Sequence, residues 1–420
     1  MSSTLSSKQV LGAVVVVLAG QIFWFSNPAT RIPRAPVTNG TALNNNGTTP
    51  TFSMIPQQPA AYPNPDETVQ ITGTYLQDPI VVNALAYVTS VVPASVLAIP
   101  PSGLASDQYT VTYKGDATAN CYWPSNLCVR NTTGNWGLAD ISTCTVPNSW
   151  GVTYDDGPFD NLDSNGNHVN DTTTLVASLK AINVTATNFV TGSQVTYSAN
   201  STLQLLIQNG HHIGAHTWSH HPLTALTNEQ IVAEMMYTQA LVYNNTGLVL
   251  KYFRPPYGDI DDRVRAIVHA LGFRVVIWDN DSMDADVVAN AADFGPVLAT
   301  IQSWFNKSTP RLTLEHNIDT FTTGIAMTAL NQIRVQGITN KMMSVPECLS
   351  DKQWYQNSLV PTDTPTNATQ ACTGAGCPGD AAAATAAPAA IVPAASASGA
   401  SSLASSSVLL LGGFLVSIIF

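Results

Sequence analysis

Charge is scarce in this 420-residue sequence: 16 Lys+Arg and 27 Asp+Glu make up 10% of the chain and leave a net charge of −11. An ordinary soluble domain carries roughly 25% charged residues. With so few cations, nucleic acid and acidic polymers are not expected partners, whereas a neutral ligand such as a glycan suits the surface. Long apolar runs are also missing from the body of the chain and are confined to its two ends. Residues 10–25, behind Lys8, read as the core of a signal peptide or an uncleaved signal anchor, placed at 1–26. At the other end, small residues at 396–400 precede a polar spacer and an uncharged apolar tail at 408–420, the order of a glycosylphosphatidylinositol anchor signal.

Both ends therefore point outside the cytosol, and the six cysteines agree with an oxidising compartment. Six thiols allow 15 pairings, although Cys372 and Cys377 are close enough in sequence for a local loop. N-x-[ST] sequons are dense, among them Asn131, Asn183, Asn244 and Asn306, and glycans there would solubilise a chain this poor in charge. Residues 27–60 and 349–407 are rich in small residues, Thr and Pro, and read as a disordered stalk and a disordered linker. The segment 61–143 is an extension without recognisable chemistry.

From about residue 148, short apolar runs at 151–154, 184–190, 212–216, 273–278, 311–316 and 341–345 read as buried parallel strands. Helical patterns at 173–182, 202–208, 228–243, 262–271, 294–305 and 323–335 alternate with them. Thr227 with Gln230 forms a capping box, and Gly272 ends the helix before it. The alternation predicts an α/β fold with a parallel sheet or barrel, whose working residues gather at the carboxyl ends of the strands.

The chemistry-bearing residues fall at those ends. Asp155 and Asp156 end a strand just before Gly157-Pro158, and neighbours there point opposite ways, so that one can bind a metal while the other serves as base. Alone, that string is a common turn. His216 and His220 are spaced i, i+4, which on a helical turn puts both imidazoles on one face. No Glu lies between them, so this is not the zinc-protease HExxH motif, and the base must come from elsewhere. Asp156 is the natural third ligand, and two histidines with one carboxylate leave coordination positions open. Arg254-Pro255-Pro256-Tyr257-Gly258 is a stiff turn in which Arg254 can hold Asp155 through a bidentate pair and the Tyr257 N–H can face a developing oxyanion. His316, ending its strand, suits a general acid, with Asp281 as its candidate carboxylate partner.

Taken together, Thr153 to Pro158, His216-Thr217-Trp218-Ser219-His220, Arg254 to Gly258, Asp281-Ser282-Met283-Asp284 and Leu312-Thr313-Leu314-Glu315-His316 resemble the five ordered motifs of the polysaccharide deacetylase family (NodB-homology, carbohydrate esterase family 4). The resemblance covers residues 144–348 and is strongest to fungal chitin deacetylases. It implies a distorted, irregular (β/α) barrel with disordered N- and C-terminal flanks. It implies a zinc ion, or cobalt, on Asp156, His216 and His220, with Asp155 as base and Arg254 positioning it. Tyr257 supplies the oxyanion contact, Leu314 lines the acetyl pocket, and His316 is the acid, tuned by an aspartate for which Asp281 fits better than Asp284. It further implies a Cys144–Cys348 disulfide. The expected activity is N-deacetylation of N-acetylglucosamine units in chitin by a monomer held at the outer face of the plasma membrane and in the cell wall. O-deacetylation of another wall glycan and glycan binding without turnover are the alternatives. The sequence departs from the family at Ala285, commonly Trp, at Asn317, commonly Asp, and at Asn188, commonly aromatic.

Overall fold

The computed structural model of the chain describes residues 52–198, 200–287, 289–338 and 341–357. In chain order the strands are β1 (Gly103–Leu104), β2 (Val111–Thr112), β3 (Ser149–Gly151), β4 (Thr153–Asp155), β5 (Thr187–Val190), β6 (His212–Ala215), β7 (Tyr252–Phe253), β8 (Arg274–Val275), β9 (Asn280–Asp281), β10 (Arg311–His316) and β11 (Lys341–Met343). The helices are α1 (Pro79–Val91), α2 (Ala94–Leu97), α3 (Trp123–Asn126), α4 (Thr172–Ala181), α5 (Gly192–Tyr197), α6 (Asn200–Gln208), α7 (Asn228–Thr246), α8 (Asp262–Ala270), α9 (Ala291–Gln302), α10 (Thr320–Gln336) and α11 (Val345–Cys348).

The strands from β3 onward pair in parallel in the order β11-β3-β10-β4-β5-β6-β7-β8, and β9 adds to β10. Every residue of β5 and β6 is buried, as expected of strands covered on both faces. β3 and β4 flank Val152 and act as one bent strand, since both pair with β10. Residues 274–281 pair first with β7 and then with β10, which carries the β8 end of the sheet back to β10 and closes an irregular barrel. The Asp279 N–H donates to the Leu312 carbonyl and the Ser282 N–H to that of Leu314, extending this closure. Helices form at the predicted places because their ends are capped. Thr227 and Gln230 exchange the two bonds of a capping box on α7, and Gly247, left-handed at φ 73°, terminates it.

Three boundaries differ from expectation. Residues 52–60, assigned to the stalk, are packed: Phe52 stacks on Tyr87 of α1, and the Ala60 N–H donates to Asp78. The extension is not separate from the barrel. α1 buries Ile80, Val81, Ala84 and Val88 and packs against α7, while Arg265 of α8 pairs with Asp140 at 3.0 Å. The linker cannot begin at 349, because Trp354 and Tyr355 are buried and the Tyr355 hydroxyl accepts from the Ile213 N–H. Polar and Pro-rich composition without an apolar period mimics disorder in sequence, yet the scattered aromatics of these segments supply apolar area worth burying. Cys144 and Cys348 are joined, and a second disulfide links Cys121 to Cys128. The segments 1–26 and 408–420, with Cys372 and Cys377, lie outside the described residues. No helix among those described is long and apolar enough to cross a membrane.

Candidate active site

At the carboxyl end of β4 the two carboxylates part company. Asp155 still belongs to the strand and is 2% exposed, whereas Asp156 turns left-handed at φ 70°. Asp155 Oδ1 accepts from Arg254 Nη1 at 2.8 Å, and Asp156 Oδ1 lies 3.0 Å from Nε2 of both His216 and His220. The histidines do not sit on a helical turn as their spacing suggested. They flank an irregular loop after β6, with Thr217 at φ 69° and His220 at φ 56°. Glu234 of α7, almost fully buried, holds this loop by accepting from the Trp218 and Ser219 N–H groups, both at 2.8 Å, and from the Ser219 hydroxyl at 2.6 Å. Tyr257 and Met283 are left-handed as well, so unfavourable backbone clusters around one cleft, where the surrounding packing must enforce it.

The outer partners of the imidazoles fix their tautomers. His216 Nδ1–H donates to the Arg254 carbonyl at 2.7 Å and His220 Nδ1–H to the Tyr257 hydroxyl at 3.1 Å, which turns both Nε2 lone pairs toward Asp156. Asp156 Oδ1 is buried and makes no hydrogen bond despite those two neighbours, so the three atoms aim at a shared point rather than at one another. Ligands 2.0–2.1 Å from a tetrahedral zinc are about 3.3 Å apart, so the donor set fits such an ion. Burial opposes the charge on Asp156, but the two imidazoles hold its carboxyl well below the usual range.

Across the cleft, Leu314 and His316 lie on the same face of β10. His316 Nδ1 contacts Asp284 Oδ1 at 2.6 Å, and the His316 N–H donates to the other oxygen at 2.8 Å. Burial would depress this imidazole, yet the Asp284 carboxylate, reinforced by Asp156 and Asp155, pushes it up to about 10. Asp281 is not the partner. It accepts from Trp278 Nε1 and the Met283 N–H, because β9 pairs with β10 at Leu314 and the turn at Met283 brings Asp284 back over the strand end. Arg254 is likewise corrected. It is fully buried but meets Asp155 through Nη1 alone, with Thr153 Oγ1 on the same nitrogen, while its guanidinium lies 4.5 Å from the Phe189 ring. The ring packing orients the guanidinium, and its Nε and Nη2 make no hydrogen bond among the described residues.

Residues 142–276 match the family model described as polysaccharide deacetylase. Chitin deacetylase 1 of Cryptococcus neoformans var. grubii is 30% identical over 352 residues, covering 79% of this chain and 68% of that protein. The chain belongs to the polysaccharide deacetylase family. The chitin deacetylase of Amylomyces rouxii is 38% identical over 175 residues, 42% of this chain and 39% of that protein. Chitin deacetylase 1 of Saccharomyces cerevisiae is 35% identical over 225 residues, 53% of this chain and 67% of that protein. Among solved structures, the chitin deacetylase of Colletotrichum lindemuthianum aligns over 52% of this chain and 95% of its own, with a TM-score of 0.45 and 24% identity.

For a polysaccharide deacetylase, two features of this cleft of about 580 Å³ were not legible in the motifs. Where the family commonly has Trp, Ala285 is exposed and contributes no ring. Aromatic surface comes instead from Trp278 and from Trp123, whose ring packs so closely on Gly258 that a Cβ there would lie 2.3 Å from it. Glu67, also from the extension, lines the same cleft. The departure at Asn317 has a packing role: its amide donates to Thr172 Oγ1 and lies where a Cβ on Gly157 would sit, 2.3 Å from Oδ1. Asn188 is buried and neither side-chain polar atom has a hydrogen-bond partner among the described residues.

Proposed function

We propose that the chain hydrolyses the acetamide of N-acetylglucosamine units in chitin, yielding chitosan and acetate, with zinc or cobalt held by Asp156, His216 and His220. The observation that carries this reading is the convergence of Asp156 Oδ1 with two Nε2 atoms, 3.0 Å from each, beside a second carboxylate that takes no part. Relatives named chitin deacetylases at 30–38% identity support the choice of substrate. A divalent ion in this donor set polarises the acetyl carbonyl and lowers the pKa of water.

The chain's own groups supply the rest. Asp155, held by Arg254, takes the proton of the attacking water. The Tyr257 N–H donates to the carbonyl oxygen as negative charge develops there. His316, kept protonated by Asp284, delivers its proton to the sugar nitrogen as the C–N bond breaks. Leu314, 5% exposed beside His316, offers apolar contact to the acetyl methyl. Disulfides and the exposed sequons at Asn131, Asn183, Asn244 and Asn306 support a secreted glycoprotein, and we extend the proposal to a monomer anchored by lipid at the outer face of the plasma membrane and acting in the wall. Acetate release from N-acetylglucosamine oligomers and from acetylated xylan decides the substrate. Turnover of the amide is expected, and release from the xylan ester alone would replace this reading with an O-acetyl esterase.

A further inference from the structure

We infer that Glu67 binds the amino group of a deacetylated sugar next to the reacting one, so that the cleft accepts partly deacetylated chitin. The inference rests on the cleft being the deacetylation site. Glu67 reaches it from the N-terminal extension, which carries none of the five motifs. The strand of chain that bears it is fastened to the metal-side loop: Trp218 Nε1 donates to the Asn64 carbonyl at 3.1 Å, and Tyr62 stacks on Trp218 at 5.5 Å. Asp66 then closes a tight turn by accepting from the Thr68 N–H and hydroxyl. Glu67 itself is pinned through one oxygen, Oε1, which accepts from Ser193 Oγ at 2.7 Å and from Gln194 Nε2 at 3.2 Å. The other oxygen has no protein partner among the described residues, and the side chain is half-buried and lines the cleft with His220 and Tyr257.

A pinned carboxylate with one oxygen free is a preorganised acceptor, and the charges around it decide what it accepts. The cleft lining contains no Lys or Arg, while Asp281 and Asp286 stand with Glu67 on it. Arg254, beneath, is committed to Asp155. Asp281 is committed to Trp278 and Met283, which leaves Glu67 as the carboxylate held in place with acceptor capacity in hand. A neutral sugar hydroxyl would gain one hydrogen bond there. An ammonium gains that bond and the charge; no Lys or Arg lines the cleft to compete for Glu67, and the His316 imidazole is held by Asp284. Each turnover creates such an amine on the polymer, and the net charge of −11 favours its retention.

The test uses the full, metal-loaded chain and the Glu67→Gln variant, which keeps an oxygen acceptor and removes the charge. Binding of a glucosamine tetrasaccharide is measured by calorimetry, and KM for the N-acetylglucosamine tetrasaccharide by acetate release. The variant should weaken glucosamine binding by about fivefold, the size of one partly exposed charge pair, and raise KM for the acetylated oligomer by less than about twofold. For the wild type, raising the salt to about 1 M, where screening acts within about 3 Å, should weaken glucosamine binding to the level of the variant. Equal losses on both oligomers, or unchanged glucosamine binding with no salt dependence, would overturn the inference. Acetate release by the wild type reports separately on the deacetylase reading, since the calorimetric arm needs no turnover.

Discussion

Replacing Asp284 by Asn separates the structure's assignment of the acid's partner from the one its sequence spacing favoured. The substitution keeps the size of the side chain but removes the charge facing His316 Nδ1 at 2.6 Å. Burial by itself lowers this imidazole's proton affinity, and Asp284 is the largest of the groups that reverse the effect and bring it to about 10. A buried charge-assisted hydrogen bond is worth about 1.5–3 kcal/mol, and each pKa unit is 1.36 kcal/mol, so Asp284→Asn should lower the His316 pKa by about one to two units. His316 can donate only while protonated, and activity is therefore lost as pH rises through its pKa. The variant's alkaline limb in kcat/KM must move to lower pH. The same pair stabilises the fold fully below the ordinary histidine value near 6.5, and that contribution disappears as pH rises through about 10. The stability gap between wild type and variant should therefore be widest in acid and close in alkali. Asp281→Asn leaves the His316 contact intact and should leave the alkaline limb in place. A limb that stays put in Asp284→Asn, or moves in Asp281→Asn instead, refutes the assignment.

Three further outcomes follow from the geometry. Asp155→Asn should cut kcat by about 10² to 10⁴ while the protein still binds one divalent ion by metal analysis, because the base lies outside the ligand set. Glu234→Ala removes the acceptor of three hydrogen bonds to the Trp218–Ser219 turn and should cost about 3 kcal/mol in denaturant unfolding and weaken metal binding measured by competition with a chelating dye. Replacing Cys144 and Cys348 together by Ser opens a link across 204 residues and should cost about 2–5 kcal/mol, read as a lower Tm, with the cleft's metal affinity preserved.

The motifs were legible because each strand end carries its own functional group, and parallel pairing brings those ends to one side of the barrel. His316 pairs in register with Asp155, and Asp155 with Phe189, so neighbours in the sheet become neighbours in the cleft. The sequence ranks Asp281 above Asp284, but the reversal at Met283, φ 60°, brings Asp284 to His316, and spacing carries no sign of that turn. The histidine loop was misread as helical for a related reason: the i, i+4 spacing fits a helix, but Glu234, far along the chain, holds a different turn. Trp123 and Glu67 gave no periodic or motif signal at all. The bracketing pair Cys121 and Cys128 was the one mark that residue 123 sits in a fixed loop. The ends of the packed region, near residues 52 and 357, were hidden by composition, since a few buried aromatics such as Phe52, Trp354 and Tyr355 set them.

The reading turns on whether Asp156, His216 and His220 grip one ion that the reaction requires. The direct measurement is acetate release from an N-acetylglucosamine tetramer by the full chain, before exhaustive chelation, after it, and after zinc or cobalt is returned, with bound metal determined in each state. Release should vanish with the ion and come back in proportion to the metal restored. Undiminished release from protein shown to hold no metal would contradict the account.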